Sequence, residues 1–297
     1  MKRSFAFAAA MLAAAALFAQ QQDFSKVEIK VQKVQGSVYM LTGAGGNIGV
    51  SVGDDGIVIV DDQFAPLAPK IKEALKSIST KPIKFIINTH FHGDHTGGNE
   101  TFRHDAPIIA HDNVRTRLAA GSKTLGRETP PAPKGALPII TFNDTATIHV
   151  NGEDIRAVHF PHGHTDGDAV IFFTKSNVVH MGDDLFFAQF PFVDLDNGGS
   201  VRGLIKNLDT IYPMLDDATK LIAGHGALSD KRALNEWINM LKGTVAIENE
   251  AIQKGKTLEQ IKAEKTLVAW SNWDQGFMTL EKYEEQLYRE LTAEKKP

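Results

Sequence analysis

Residues 88–99 read NTHFHGDHTGGN, placing His90, His92, Asp94 and His95 within six positions. Imidazoles and a carboxylate crowded this closely have the composition of a metal site. A zinc-type ion is held by three or four N, O or S atoms and keeps an open position when it is catalytic. Four candidates in six residues do not complete two sites, so further ligands must come from elsewhere. The chain has no cysteine, which removes thiolates as ligands and nucleophiles and leaves histidine and carboxylate to build the site.

Three later segments carry such a residue just after an apolar run: His164 in HFPHGHTDGD, Asp183 in VVHMGDD and His225 in LIAGHG. One histidine at a strand end is usually an ordinary hydrogen-bonded residue. Seven ligand-type residues at four strand ends are better explained by a shared centre.

The elements that would position them follow from hydrophobic patterning. VEIKVQKV, GSVYMLTG, GGNIGVSVG and GIVIVDD predict consecutive strands between Gly/Asp turns. APLAPKIKEALKSI has helical spacing, and IKFIINTH returns to a buried strand. At its end His90 and His92, two apart, leave on the same side. Gly93 is expected to let the backbone turn, bringing Asp94 and His95 to face a neighbouring point. This differs from the helical His-Glu-x-x-His arrangement.

Residues 97–120 predict a short helix, a strand and another helix. Residues 121–138 hold four prolines and three glycines and predict a long surface loop, of a length that is often functional. A second strand set follows in IITF, ATIHV, DIRAVHF, DAVIFFT and NVVHMGD. After it come a helix near 200–214, the strand KLIAG, and helices at about 229–255, 257–264 and 279–293. Two β-rich halves, each closed by helices and joined without a Pro/Gly/Ser-rich linker, predict two packed sheets with helices outside, in one domain over 20–297.

The opening MKRSFAFAAAMLAAAALFAQQQ has a basic start, an apolar Ala-rich stretch and a small residue before a polar run. This is the layout of a secretory signal peptide over residues 1–19, cleaved near Ala19, and it predicts a periplasmic or secreted protein. The stretch is short for a membrane span, so no stable span is expected after cleavage. Without Lys2 and Arg3 the chain keeps 30 basic against 36 acidic side chains, a charge of about −6. With no Lys/Arg cluster to track a phosphate backbone, nucleic acid is not an expected partner; a small-molecule substrate is.

THFHGDH, GHTDGD, GDDLF and AGHG, in that order, resemble the motif series of the metallo-β-lactamase superfamily, from the mature start to about residue 230. The resemblance implies an α/β protein folded as an αββα four-layer sandwich, with the site at one edge and extra C-terminal helices over about 228–297. It implies one metal held by His90, His92 and His164, a second held by Asp94, His95 and His225, and Asp183 bridging them together with a water or hydroxide. Zinc is the usual ion, with iron or manganese in some branches, and these ligands do not choose between them.

Two divalent ions about 3.5–4 Å apart can share a hydroxide formed near neutral pH and stabilise both attacking and leaving atoms. The expected reaction is attack on the carbonyl of an ester, thioester, lactone or amide-type bond, with Asp94 passing the proton. A dedicated β-lactamase is the alternative. The main zinc β-lactamase subclass has Cys where Asp183 stands and a Lys three residues on, where this chain has Phe186. A bridging Asp is usual in the broader hydrolase branches. The stretch FPFVDLDNGGSVRGLIKNLDTI resembles an exported β-lactamase-like or cyclase-like group, for which β-lactam hydrolysis remains compatible. The alternative from another class is a non-catalytic periplasmic metal-binding protein.

Around this set, Asp61 is expected either to hydrogen-bond a ligand imidazole or to serve as a plain turn carboxylate. His162 reads as a solvated loop residue or a proton group near the site. His104, His149, His159 and His180 read as ordinary, and His111 as a helix cap. Ser200 is expected to cap the helix after it, whose N-terminus is a candidate receiver of an anionic substrate group. Trp270, Trp273 and Phe277 read as core packing, with a homo-oligomer face as the other reading.

Overall fold

The computed structural model describes residues 23–293; the segment read as a signal peptide lies outside them. The chain opens with four antiparallel strands, β1 (Lys30–Gln35), β2 (Val38–Thr42), β3 (Ile48–Gly53) and β4 (Gly56–Val60). Helix α1 (Ala68–Ile78) then crosses to β5 (Ile83–Ile87), which runs parallel to β4. The one-turn helices α2 (Gly93–Thr96) and α3 (Asn99–Phe102) precede the parallel strand β6 (Ile108–His111) and helix α4 (Asp112–Ala120).

The segment read as a loop over 121–138 contains a short hairpin, β7 (Ser122–Thr124) and β8 (Arg127–Thr129). Its two turn residues, Leu125 and Gly126, have φ of 51° and 77°. Two central residues at positive φ are the backbone of a tight hairpin turn. Leu-Gly is an unusual pair for that turn, which is why patterning did not reveal it. Strand β9 (Ile140–Phe142) completes a seven-stranded sheet at the β6 edge.

The second sheet holds β10 (Thr145–Val150), β11 (Glu153–His159), β12 (Ala169–Phe173), β13 (Val178–Phe186), β14 (Lys220–His225) and β15 (Ser229–Asp230) in sequence order. All pairs are antiparallel except β13 with β14, which are joined through helix α5 (Val201–Ile211). Helices α6 (Lys231–Gln253), α7 (Leu258–Glu264) and α8 (Leu280–Ala293) follow.

The sheets pack face to face. Val38, Met40, Val58, Val60 and Ile87 from the first meet Ile155, Ala157, Ile171, Phe173 and Ile222 from the second. Ile71 and Leu75 of α1 cover the outer face of the first sheet against Ile48, Ile57 and Ile59. Leu204 and Leu208 of α5, Trp237 and Leu241 of α6 and Leu287 of α8 cover the second. The result is the αββα sandwich, with helices α6–α8 thickening one outer layer. Strands β4 and β13, buried along their whole lengths, show why they read as continuous apolar runs: both their faces are covered.

This topology places the chemistry. Asp61 directly follows β4, His90 lies three residues beyond β5, Asp183 sits within β13, and His225 ends β14. These four strands form one parallel pair in each sheet, β4 with β5 and β13 with β14, so their C-terminal ends open on one edge, where ligand sites of α/β folds gather.

Candidate metal centre

All seven ligand-type side chains converge at that edge. They fall into two groups, His90, His92, His164 and Asp183 in one, and Asp94, His95 and His225 in the other, with the ligand atoms of each group within 4.8 Å of one another. His92 Nδ1 lies 3.1 Å from His90 Nε2 and 2.8 Å from His164 Nε2. His95 Nε2 lies 3.3 Å from His225 Nε2, and Asp94 Oδ2 is 3.2 Å from that same His225 nitrogen. Asp183 reaches both groups: Oδ2 is 3.5 Å from His164 Nε2 and 3.4 Å from His225 Nε2, while Oδ1 is 3.1 Å from His95 Nε2.

Four of the five imidazoles are fixed through their other nitrogen. His95 Nδ1 donates to Asp61 Oδ2 at 2.7 Å, and His164 Nδ1 to the Phe192 carbonyl at 2.7 Å. His92 Nε2 donates to Asp194 Oδ2 at 2.9 Å. His90 Nδ1 is 3.1 Å from Thr89 Oγ1, whose hydroxyl donates to Asp61 Oδ2 at 2.8 Å. These bonds select the tautomers that turn a lone pair of each of these four rings inward, the role outer carboxylates and carbonyls play around metal-bound histidines.

Asp61 therefore binds a candidate ligand imidazole. Sequence reasoning missed Asp194, Thr89 and the Phe192 carbonyl. Asp194 stood in view in FPFVDLDN, but nothing local marks it as facing His92, 102 positions away.

The backbone does not turn where expected. Gly93 has no positive φ, and a Cβ there would meet nothing within 4 Å. The chain changes direction because His92 is the N-cap of α2, which carries Asp94 and His95 on its single turn. Glycine is required elsewhere. A Cβ on Gly46 would stand 2.1 Å from the His95 ring, and one on Gly224 would stand 2.0 Å from Asp183 Oδ1. Gly182, at φ 53°, lies where the β13–β14 register shifts, an irregularity that re-aims Asp183.

Electrostatics distinguish the two groups. Burial pushes the His90 imidazole well below its usual range and His164 down to about 4, so both stay neutral with free lone pairs. Burial also opposes charge on His95 and His225, but Asp183 and Asp94 beside both, joined at His95 by Asp61, together outweigh it. His95 is held well above the ordinary imidazole value and His225 at about 9. Asp94, against its own burial, is kept at about 2 by His95 and His225.

The second group thus demands positive charge, and without an ion protons supply it. Asp183 Oδ1 is also buried without an accepted hydrogen bond of proper geometry. Neutral nitrogens aimed inward, a buried carboxylate oxygen left over, and anions holding extra protons together fit a cluster that could hold metal ions.

Other residues sort plainly. His111 caps α4 by accepting from the Asn113 amide, and its ring stacks on His159 at 3.7 Å. His180 is buried and donates to the Asn47 carbonyl. His162 is bonded to the Gly198 carbonyl and lies outside both groups. Ser200 caps α5. That helix N-terminus does not receive a substrate anion, because the Glu290 carboxylate of α8 already accepts from Ser200 Oγ and the Val201 amide, each at 2.7 Å.

The sequence pattern of the metallo-beta-lactamase superfamily matches residues 35–225. The chain belongs to that superfamily. Among relatives, the chain is 27% identical to the 2,4-dinitroanisole O-demethylase subunit alpha of a Nocardioides species, over 52% of this chain and 46% of that protein. It is 26% identical to a probable metallo-hydrolase of Methanocaldococcus jannaschii, over 60% of this chain and 86% of that one. It is 28% identical to a hydroxyacylglutathione hydrolase of Nitrosococcus oceani, over 47% of each. The match thus spans less than half the length of the demethylase subunit.

Solved superfamily folds agree. A metallo-beta-lactamase from Pontibacter korlensis superposes with a TM-score of 0.60 at 18% identity, over 72% of this chain and 99% of that one. The sec-alkylsulfatase Pisa1 of a Pseudomonas species does so with 0.65 at 16%, over 88% and 50%. At such identities the likeness is one of fold.

A cavity of about 1240 Å³ opens above the two groups, with His92, Asp94, Asp183 and His225 on its floor. The hairpin β7–β8 and the segment after it contribute to its walls, as do Phe277 and Met278. Phe277 is therefore not core packing as its sequence suggested; it is 60% exposed and faces this cavity. Trp270 and Trp273 do pack against the helical layer.

Proposed function

We propose that this superfamily hydrolase is an exported enzyme of the periplasm or extracellular space, with two divalent ions, zinc foremost, that cleaves an ester, thioester, lactone or amide-type bond. One observation carries the reading: seven inward-aimed ligand atoms fall into two groups that Asp183 touches in common, on the floor of an open cavity. In this assignment His90, His92 and His164 hold one ion, Asp94, His95 and His225 the other, and Asp183 bridges. When bound, the ions would lower the pKa of water toward about 7 and stabilise charge developing at the cleaved bond.

The chain's own residues do the rest. Asp61, Thr89, Asp194 and the Phe192 carbonyl hold His90, His92, His95 and His164 in place. Asp94, whose side chain is 29% exposed against 4% for Asp183, is the cluster carboxylate most open to the cavity. It is assigned the role of taking up the proton released as the bond is attacked. The apolar walls limit water around the substrate.

A dedicated β-lactamase is the weaker reading. Phe186 stands where a lysine would grip the drug's carboxylate, and its ring stacks on His225 with centroids 5.3 Å apart. No cation is offered there.

Metal analysis combined with a hydrolysis panel of esters, thioesters, lactones, phosphodiesters, sulfate esters and nitrocefin tests the proposal. Two ions per chain with turnover of an acyl substrate is the expected result. Two ions with no turnover of any class would leave a metal-binding protein instead. Export is checked by fractionating cells that express the full chain and sequencing the mature N-terminus.

A further inference from the structure

The cavity over the metal centre is lined mainly by carbon. Phe91 and Phe192 rise next to the floor, the run Pro130–Pro133 forms a side, and Leu125 and Phe277 stand at the mouth. Leu125 is 56% and Phe277 60% exposed. The Phe277 ring meets that of Phe192 edge-on at 6.2 Å, and Phe192 lies 5.9 Å from the His92 ring and 5.7 Å from that of His164. An apolar path therefore runs from the mouth to the candidate ligands.

Charge along this path is nearly all spoken for. Arg117 is held by both oxygens of Asp166 at 2.6 Å and by Asn197 at 2.7 Å, and Glu100 pairs with Arg103. Arg127 on the hairpin is the lining cation with no acidic partner among the described residues. A substrate rich in carboxylates, such as a glutathione conjugate, would find a single cation to meet them.

We infer that the substrate carries a bulky apolar group, a long alkyl chain or fused aromatic rings, beside the bond to be cleaved, and that Leu125 and Phe277 clasp this group at the mouth. The volume exceeds the roughly 300–1,000 Å³ of ordinary small-molecule pockets, and two large apolar side chains left in water on the lining of one cavity are covered when such a group lies against both. The inference rests on the hydrolase reading for where the cleaved bond sits. The clasp itself is independent of any reaction.

The test is therefore binding first. Displacement of 1-anilinonaphthalene-8-sulfonate from the metal-loaded protein by 1-butanol, 1-hexanol and 1-octanol should show affinity rising up to about fourfold per methylene, the value of one buried CH₂. Phe277→Ser and Leu125→Ser should each flatten that dependence. Ile139→Ser, which alters a 73% exposed residue away from the cavity, should leave it intact. Affinity independent of chain length, or a dependence that Ile139→Ser reduces equally, would overturn the inference.

A parallel turnover series of p-nitrophenyl acetate, butyrate and octanoate separates the two claims. Chain-length-dependent binding without turnover of any panel substrate refutes the hydrolase reading and keeps the apolar clasp. Turnover without chain-length-dependent binding does the reverse.

Discussion

Asp61 Oδ2 lies 2.7 Å from His95 Nδ1, and the same oxygen accepts the Thr89 hydroxyl that meets His90. One buried carboxylate thus orients an imidazole in each ligand group. Asp61 itself sits at φ 65°, a backbone region that Asp and Asn enter more readily than other side chains. Asp61→Asn should keep the turn but lose the anion, lowering metal affinity by about 10–100-fold. Competition with a chromophoric chelator reads this directly. Unchanged affinity in a folded variant would remove Asp61 from the site.

Asp183 contributes to both groups, so its loss should not spare one ion. In Asp183→Ala, metal content and turnover are expected to fall together. Metal analysis beside kinetics checks it, and a fully active variant would refute the bridging assignment.

Metal uptake should release protons. At neutral pH the ion-free protein keeps His95 and His225 protonated, the latter up to about 9, and ligation requires the neutral ring. Affinity is therefore expected to rise with pH until about 9, with on the order of two protons released per chain at pH 7. Calorimetry in buffers of different ionisation enthalpy counts them, and uptake without proton release would contradict this charge assignment. The ion-free fold should behave in the complementary way. A raised folded-state pKa gives His225 a stabilising contribution that is full below about 6.5 and lost as pH passes about 9.

A second pH effect belongs to the helical layer. Glu248 of α6 is buried, with neither carboxylate oxygen hydrogen-bonded. Burial first, and then Glu284 of α8, push it up to about 7. The unfolded chain ionises this group near its ordinary value of 4.5, so the folded state holds the extra proton and stability falls as pH rises from about 4.5 to 7. Glu248→Gln should raise the melting temperature by a few degrees at pH 8, at about 2–4 °C per kcal/mol, and by little at pH 4. An equal shift at both pH values would mean packing, rather than ionisation, is responsible.

Much of this molecule is local in origin. Apolar runs between Gly/Asp turns mark the strands of both sheets, and helical spacing marks α5, α6, α7 and α8 to within a few residues. The ligand-type residues stand out because histidine and aspartate at the ends of buried strands are chemically conspicuous wherever the chain goes. Their types and order were enough to indicate the superfamily.

What the sequence could not determine is nonlocal. The partner of His92 is Asp194, the N-terminus of α5 is filled by Glu290, and the cavity is lined by Phe277, beyond the last ligand segment and against Phe192. These contacts join positions 102, 89 and 85 residues apart, and no periodicity encodes such a pairing. The turn at His92 follows the same rule. The sequence offers Gly93 as the pivot, but a one-turn helix carries Asp94 and His95 inward, while Gly46, in the turn between β2 and β3, and Gly224 of β14 leave room for His95 and Asp183. Side-chain chemistry belongs to the sequence. Which atoms face each other, what keeps them there and what can lie above them were decided only when the two sheets closed.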